Sequence, residues 1–427
     1  METFTYDQIF EKLVKSAYAG NMAEEIQRLN PNNEERIANL IKYASGQGEK
    51  NKVIFKAGNC SETCTEKDCA ESTCQVACLF NAIVRDEEGS VVIKDDYCLD
   101  CGECVKVCKH DNLVDKKEFI PLIELLKDRT VPVYAIVAPA FIGQFGSEVT
   151  PGKLRAALKR LGFYGMLEVA LFADVLTLKE ALEFDIHVQK EDDFVLTSCC
   201  CPMWWGMIKK VYTQLVPHIS PSVSPMVACG RSIKKLHPDA KVVFIGPCIA
   251  KKAEAKEPEV SDAVDVVLTF QEMQQIFQAL NINPAEMPES ESDHSSRAGR
   301  IYARTGGVSK AVADTVARIR PERTIPLKAV QADGVPACKK LLQDALEGRI
   351  EANFYEGMGC VGGCVGGPKV IIDKEQGKDY VNRYGDEAES LTPADNEYVL
   401  GLLKSIGFDE IDELLEGEKS QMFKRSF

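Results

Sequence analysis

The hydrophobic pattern changes character along the chain. In "TYDQIFEKLVKSAYAG", Ile9, Leu13 and Ala17 recur at every fourth position, the spacing of one helix face. "NPNNEERIANLIKYASG" offers an asparagine cap, early acids and a closing glycine, so a second helix is expected. From about residue 130 the pattern alternates. "VPVYAIVAPA" precedes the helical "PGKLRAALKRLGF", "DFVLTS" precedes "MWWGMIKKVYTQL", "AKVVFIGP" precedes "IAKKAEAK", and "AVDVVLTF" precedes "QEMQQIFQAL". Apolar runs alternating with amphipathic helices predict an α/β domain with largely parallel sheets. Residues 370–427 are polar and helical, with the acidic "DEIDELLEGE", and are expected to lie solvated on the surface.

The most apolar stretch, residues 131–143, is interrupted by two prolines and a glycine. It falls short of the about 20 apolar residues that span a bilayer and reads as a buried strand entering a loop. A chain of 427 residues is expected to form two or three domains. The formal charge of 51 minus 65, or −14, argues against nucleic acid and anionic membrane as main partners. The start lacks a basic region followed by an apolar one, so a cytoplasmic location is expected. Seventeen cysteines then need a use other than disulfides, and metal sites or redox chemistry are the default.

Nine of these cysteines fall within residues 60–108. "CLDCGECVKVC" places Cys98, Cys101, Cys104 and Cys108 in a C-x2-C-x2-C-x3-C run. Three thiolates on such a loop cap three corners of a [4Fe-4S] cube, and the fourth ligates the other cluster in a two-cluster ferredoxin. Pseudo-symmetry assigns Cys78 to the cluster of Cys98, Cys101 and Cys104. Cys108 then joins three upstream cysteines, with Cys64, Cys69 and Cys74 preferred and Cys60 left open, because the upstream spacing departs from the pattern. The expected domains are a helical segment at 1–52, an α+β ferredoxin-like 2[4Fe-4S] domain at 53–125, and a large domain at 126–427 with a helical tail.

In the large domain, Cys201 lies in "TSCCCPMWW", Cys248 in "IGPCIAKK", and Cys360 and Cys364 in "EGMGCVGGCVGGP". All follow apolar runs, so strand-end loops would bring four thiolates together as a buried cubane needs. Pro202 is expected to open the next helix at N1. Cys229 and Cys338, in "MVACGRSI" and "PACKKLL", read as small buried apolar residues of helices.

Together these motifs resemble the [FeFe]-hydrogenases, whose signatures are TSCCP, PCxxKK and ExMxCxxGCxxGG. Weaker likenesses are "VAPAF", "KLRAALKRLGF", "FADVLTLKEALE", "SPMVACG" and "RTGGVSKAV", and the resemblance covers residues 60–370. It implies a two-lobed α/β active-site domain holding an H-cluster, a [4Fe-4S] cubane bridged to a two-iron azadithiolate subsite with CO and cyanide. Carried over, Cys201, Cys248, Cys360 and Cys364 would hold the cubane, with Cys364 as the bridge. Lys251 would hydrogen-bond a cyanide. Met358 and Trp204 would pack over the cluster, and Ala138 and Pro139 would line the cofactor pocket. Counting back from Pro202 makes Cys200 the proton relay, whereas counting from Thr197 would make it Cys199. Glu183 matches the relay's outer carboxylate.

Departures surround the two-iron position. Gly246 stands where the family has Met, Ala140 where it has Ser, and Met226 with Val227 where it has Gln. Lys179 aligns with an inner relay glutamate, leaving Glu180, Glu183 or Glu356 to serve. The resemblance implies 2 H+ + 2 e− ⇌ H2, slow in a sensor-like branch, with ferredoxin or a signalling protein as partner and a homodimer left open. The other readings are a non-catalytic redox or H2 sensor and an iron–sulfur assembly protein.

Overall fold

The computed structural model describes residues 4–59, 72–291, 294–349 and 351–426. Eleven strands follow one another among them: β1 (Ile54–Lys56), β2 (Ile83–Arg85), β3 (Val91–Ile93), β4 (Leu113–Asp115), β5 (Val133–Val137), β6 (Gly165–Glu168), β7 (Val195–Leu196), β8 (Lys241–Gly246), β9 (Val266–Thr269), β10 (Ala329–Asp333) and β11 (Phe354–Met358). β6-β5-β8-β9 form one parallel sheet and β10-β11-β7 another, so the large domain has two lobes. Every residue of β5 and β11 is buried, as strands covered on both faces require.

Helix Ala170–His187 packs on helices of both lobes and is buried without interruption from Ala170 to Phe184. It is apolar nearly all round, so its polar groups (Asp174, Thr177, Lys179, Glu180 and Glu183) are buried and need internal partners.

Three N-terminal helices, Tyr6–Ala19, Met22–Leu29 and Glu35–Ala44, precede the cysteine-rich segment. The first opens on a Thr5–Gln8 capping box and packs on helix Phe270–Ala279 of the large domain. The asparagine cap expected for the last is replaced by Glu34, whose amide is held by Asn30 Oδ1 at 2.8 Å. The cysteine-rich segment pairs β1 with β4 and β2 with β3, both antiparallel.

The chain after residue 370 departs from a solvated tail. Val381, Val399, Leu403, Phe408, Leu414 and Phe423 are buried in the main core, and Ser222 forms a bridge with Lys424. Its few apolar residues are spaced to face inward, which an overall polar composition conceals. No described helix is long and apolar enough to cross a membrane.

Candidate functional site

The cysteines of the three large-domain motifs stand where strands end. Cys199–Cys201 follow β7, Cys248 lies two residues beyond β8, and Cys360 two beyond β11. Cys201 is the N-cap of helix Pro202–Lys210, with Pro202 at N1, so the residue stands at the positive end of that helix. The Gly359 amide donates to Cys201 Sγ at 3.3 Å. Gly363 adopts φ +85°, and a Cβ there would come 2.8 Å from the Thr305 amide, so the turn between Cys360 and Cys364 demands glycine.

Cys201, Cys248, Cys360 and Cys364 lie within electrostatic reach of one another. Burial pushes the Cys248 thiol up to about 11 and the Cys364 thiol to about 12, with neighbouring cysteines adding to the rise. Four such thiols cannot ionise together without a compensating cation. Among the described residues no three metal-ligating side chains are placed to share one ion. A single zinc would need its sulfurs within about 3.8 Å of one another, given Zn–S bonds near 2.3 Å. Four thiols on three loops, within electrostatic reach of one another, suit a cluster with four cysteine ligands, such as a cubane.

A cavity of about 50 Å³ adjoins Cys248 and Cys364. Ala138, Pro139, Met226, Phe244 and Tyr302 supply apolar wall, and Cys200 and Lys251 are the polar intrusions. Lys251 is held at 2.5 Å by the fully buried Glu254, a partner the sequence did not suggest. Despite burial, Glu254 and the surrounding thiols hold the Lys251 ammonium above its ordinary range. At Gly246 a Cβ would lie 2.5 Å from the Phe244 ring and 3.2 Å from Ala138 Cβ. Phe244 therefore occupies space that a side chain at 246 would take.

Trp204 donates to Thr197 O at 2.8 Å, and its ring lies against Gly357, where a Cβ would be 1.9 Å from the indole. It shares an apolar cluster with Cys201 and Cys248, and Met358 shares another with Cys200 and Cys201.

The triplet divides its thiols. Cys201 faces the other three motif cysteines and Cys200 lines the cavity. Cys199 donates to Glu180 Oε1 at 3.1 Å, and Thr197 donates to the other Glu180 oxygen. Burial pushes Glu180 up to about 7 against these hydrogen bonds. Lys179 turns away, pairs with Glu183 and donates to Ser222 Oγ at 2.8 Å, while Ser220 donates to Glu183 at 2.6 Å. Glu356, remote from this group, accepts from the Gly306 and Ser309 amides. Glu180, Glu183 and Thr197 all line a solvent-open pocket of about 490 Å³ with His187, Asp192 and His218.

In the cysteine-rich segment, Cys78 lies in electrostatic reach of Cys98, Cys101 and Cys104. Backbone amides point at the sulfurs: Ala82 at Cys78 (3.2 Å), Asp100 at Cys98 (3.4 Å) and Leu113 at Cys108 (3.3 Å). Cys74 is buried near Cys104, whereas Cys60, Cys64 and Cys69 lie outside the described residues. Gly102, between Cys101 and Cys104, touches Ile249 so closely that a Cβ would fall 2.3 Å from its Cδ1. The loop of Cys98, Cys101 and Cys104 thus abuts the residue following Cys248. Cys229 and Cys338 are fully buried in helices Pro225–Leu236 and Val335–Leu346, and Cys338 donates to Met358 O at 3.3 Å.

Residues 131–368 match the family described as the iron only hydrogenase large subunit, C-terminal domain. The chain is 28% identical over 331 residues to the NADP-reducing hydrogenase subunit HndD of Solidesulfovibrio fructosivorans, covering 64% of this chain and 56% of that one. It is 29% identical over 303 residues to the periplasmic [Fe] hydrogenase large subunit of Nitratidesulfovibrio vulgaris, covering 59% and 72%. The cytosolic Fe-S cluster assembly factor NAR1 of Yarrowia lipolytica is 25% identical over 223 residues, covering 45% of each chain. A solved glutamate-to-alanine variant of [FeFe]-hydrogenase HydA1 from Chlamydomonas reinhardtii shares the fold with a TM-score of 0.59 at 22% identity, over 71% of this chain and 97% of that one.

Proposed function

Since the chain belongs to the iron-only hydrogenase large-subunit family, we propose that it interconverts protons, electrons and hydrogen by 2 H+ + 2 e− ⇌ H2. Cys201, Cys248, Cys360 and Cys364 would hold a [4Fe-4S] cubane, with Cys364 also bridging to a two-iron subsite in the adjoining cavity. The carrying observation is the placement of four half-buried cysteines on three strand-end loops beside an apolar cavity that holds one lysine. The bound cofactor supplies the redox chemistry and the open coordination position.

The chain's own residues would supply charge, an apolar wall and proton delivery. Lys251, kept cationic by Glu254, offers a donor to an anionic ligand of the subsite. The walls are apolar, and a low-dielectric surrounding strengthens that interaction. Cys200 stands at the cavity and Cys199 at Glu180, so protons would pass from the Glu180 pocket by way of these thiols, although burial pushes both well above the ordinary thiol range rather than lowering them. A carboxyl group pushed up to about 7 is matched to proton exchange near neutral pH. Glu183, committed to Lys179, is assigned to the pocket's electrostatics rather than to the transfer itself. Electrons would enter through two [4Fe-4S] clusters in the cysteine-rich domain. The one held by Cys78, Cys98, Cys101 and Cys104 would be the inner cluster, because its loop touches Ile249. The partner would be ferredoxin or another redox protein.

A sensory role with slow turnover is a second reading, favoured by the Lys179–Glu183 ion pair, which withdraws one carboxylate from proton traffic. An iron–sulfur assembly role fits the likeness to NAR1, but the buried Lys251 and the cavity beside it would then lack a use. Infrared spectra after anaerobic loading with a synthetic two-iron cofactor test the proposal. Iron-bound CO and cyanide bands are expected, and their absence from cubane-replete protein would overturn it.

A further inference from the structure

Four residues after Cys248 and five after Cys364 stand two lysines that the hydrogenase reading leaves unused, Lys252 and Lys369. They meet on one carboxylate. Lys252 Nζ is 3.0 Å from Asp115 Oδ2, and Lys369 Nζ is 2.9 Å from Asp115 Oδ1. Asp115 ends β4, whose first residue, Leu113, donates its amide to Cys108 Sγ. The two cysteine loops also touch directly, with the Lys369 amide donating to Pro247 O at 3.0 Å.

The surroundings of this carboxylate are closed. Lys252 further contacts Glu272 Oε1 at 2.8 Å and Lys116 O at 2.7 Å. Lys117, buried under the rings of Tyr6 and Phe10, pairs with Asp7 at 3.5 Å, and Tyr6 donates to Asp115 O at 2.8 Å. Lys117, Lys252 and Lys369 thus balance Asp7, Asp115 and Glu272. Burial alone would raise the Asp115 carboxyl, but Lys369, Lys252 and Lys117 hold it well below its ordinary range. Buried ion clusters of this kind add little net stability over an apolar packing, because desolvation offsets attraction. What they do supply is a fixed geometry.

We propose that Asp115 is a positioning residue for the large-domain cysteine site. By taking Lys252 and Lys369 on its two oxygens, it locks the Cys248 and Cys364 loops to each other and to the strand that follows Cys108. The first N-terminal helix is the lid on this clamp, through Tyr6, Asp7 and Phe10. The significance of the two loops rests on the cubane assignment proposed above.

The test uses the full-length, iron-replete protein and two readouts. Hydrogen–deuterium exchange is followed in residues 247–256 and 364–372, and the cubane's reduction potential is followed by EPR-monitored titration. Asp115→Asn is expected to speed exchange roughly tenfold or more in both segments, as loss of a buried partner permits. Removing a negative charge should also move the potential positive. Should Asp115→Asn not fold, Lys369→Met, at the rim of the cluster, is expected to speed exchange in 364–372 and leave 247–256 unchanged. Lys252→Met is expected to do the reverse. Unchanged exchange in both segments for a folded Asp115→Asn protein, or for both lysine variants, would overturn the proposal. If the unaltered protein lacked a large-domain cubane signal, the cubane assignment would fall instead, and the exchange rates would still decide the clamp.

Discussion

Cys199 Sγ lies 3.1 Å from Glu180 Oε1, while Cys200, the next residue, lines the cavity on the other side of the chain. The two residues form a turn, opened by Ser198 at φ +67° and closed by the Cys201 amide donating to Ser198 O at 3.0 Å, so consecutive thiols reach two different environments. Glu180→Gln is expected to lower hydrogen turnover by about 10²-fold, the contribution of a positioned proton-transfer group. The cubane's EPR signal should be unaltered. Full activity in the variant would remove Glu180 from the path.

The same carboxyl sets a pH dependence. Its ordinary value of 4.5 rises to about 7 in the folded chain. Between these values the folded state holds a proton that the unfolded state has lost, so stability falls as pH rises across that window. Urea unfolding at a series of pH values should show this decline in the parent and a shallower one in Glu180→Gln. Equal slopes would mean that burial does not shift the group.

The half-buried Cys360 and the buried Cys338 both lie near Cys201, but only Cys360 is on a cysteine-motif loop. Cys360→Ala should lose the large-domain cubane, seen as a drop in bound iron, whereas Cys338→Ala should keep its full complement. Parallel iron losses in the two variants would contradict the ligand set.

Gly357 and Trp204 form a second coupled pair. A methyl at 357 meets the indole at 1.9 Å, so Gly357→Ala should cost about 3 kcal/mol, at the upper end of overpacking penalties. Chemical denaturation followed by tryptophan fluorescence reads this directly. A loss below about 1 kcal/mol would show that the indole moves aside freely.

The Phe244 ring fills the space beside Gly246. Gly246→Met alone should destabilise the protein by about 2 kcal/mol, because Phe244 fills the space, and adding Phe244→Ala should recover most of the loss. Additive effects in the double-mutant cycle would refute this coupling.

Much of this arrangement was legible in the sequence. Continuous apolar runs such as Val133–Val137 mark buried parallel strands, and the three cysteine motifs fall just beyond such runs. Pro202 marked a helix start because its ring fits only the first turn. Glu180 was harder to single out. It sits in a helix buried on every side, so periodicity names no inward face, and it adjoins Lys179, which points elsewhere. The Asp115 clamp joins residues 137 positions apart, a pairing that no local pattern records. The tail after residue 370 has the composition of a solvated segment because its inward residues are sparse.

The cysteine triplet divides its thiols among three surroundings: Cys199 reaches Glu180, Cys200 the small apolar cavity, and Cys201 the other motif cysteines. On the proposed reading, proton supply and electron supply therefore enter through neighbouring residues but separate doors. A mutation can throttle one and leave the other running, which makes the rate and the redox signal of this protein independently adjustable by natural variation.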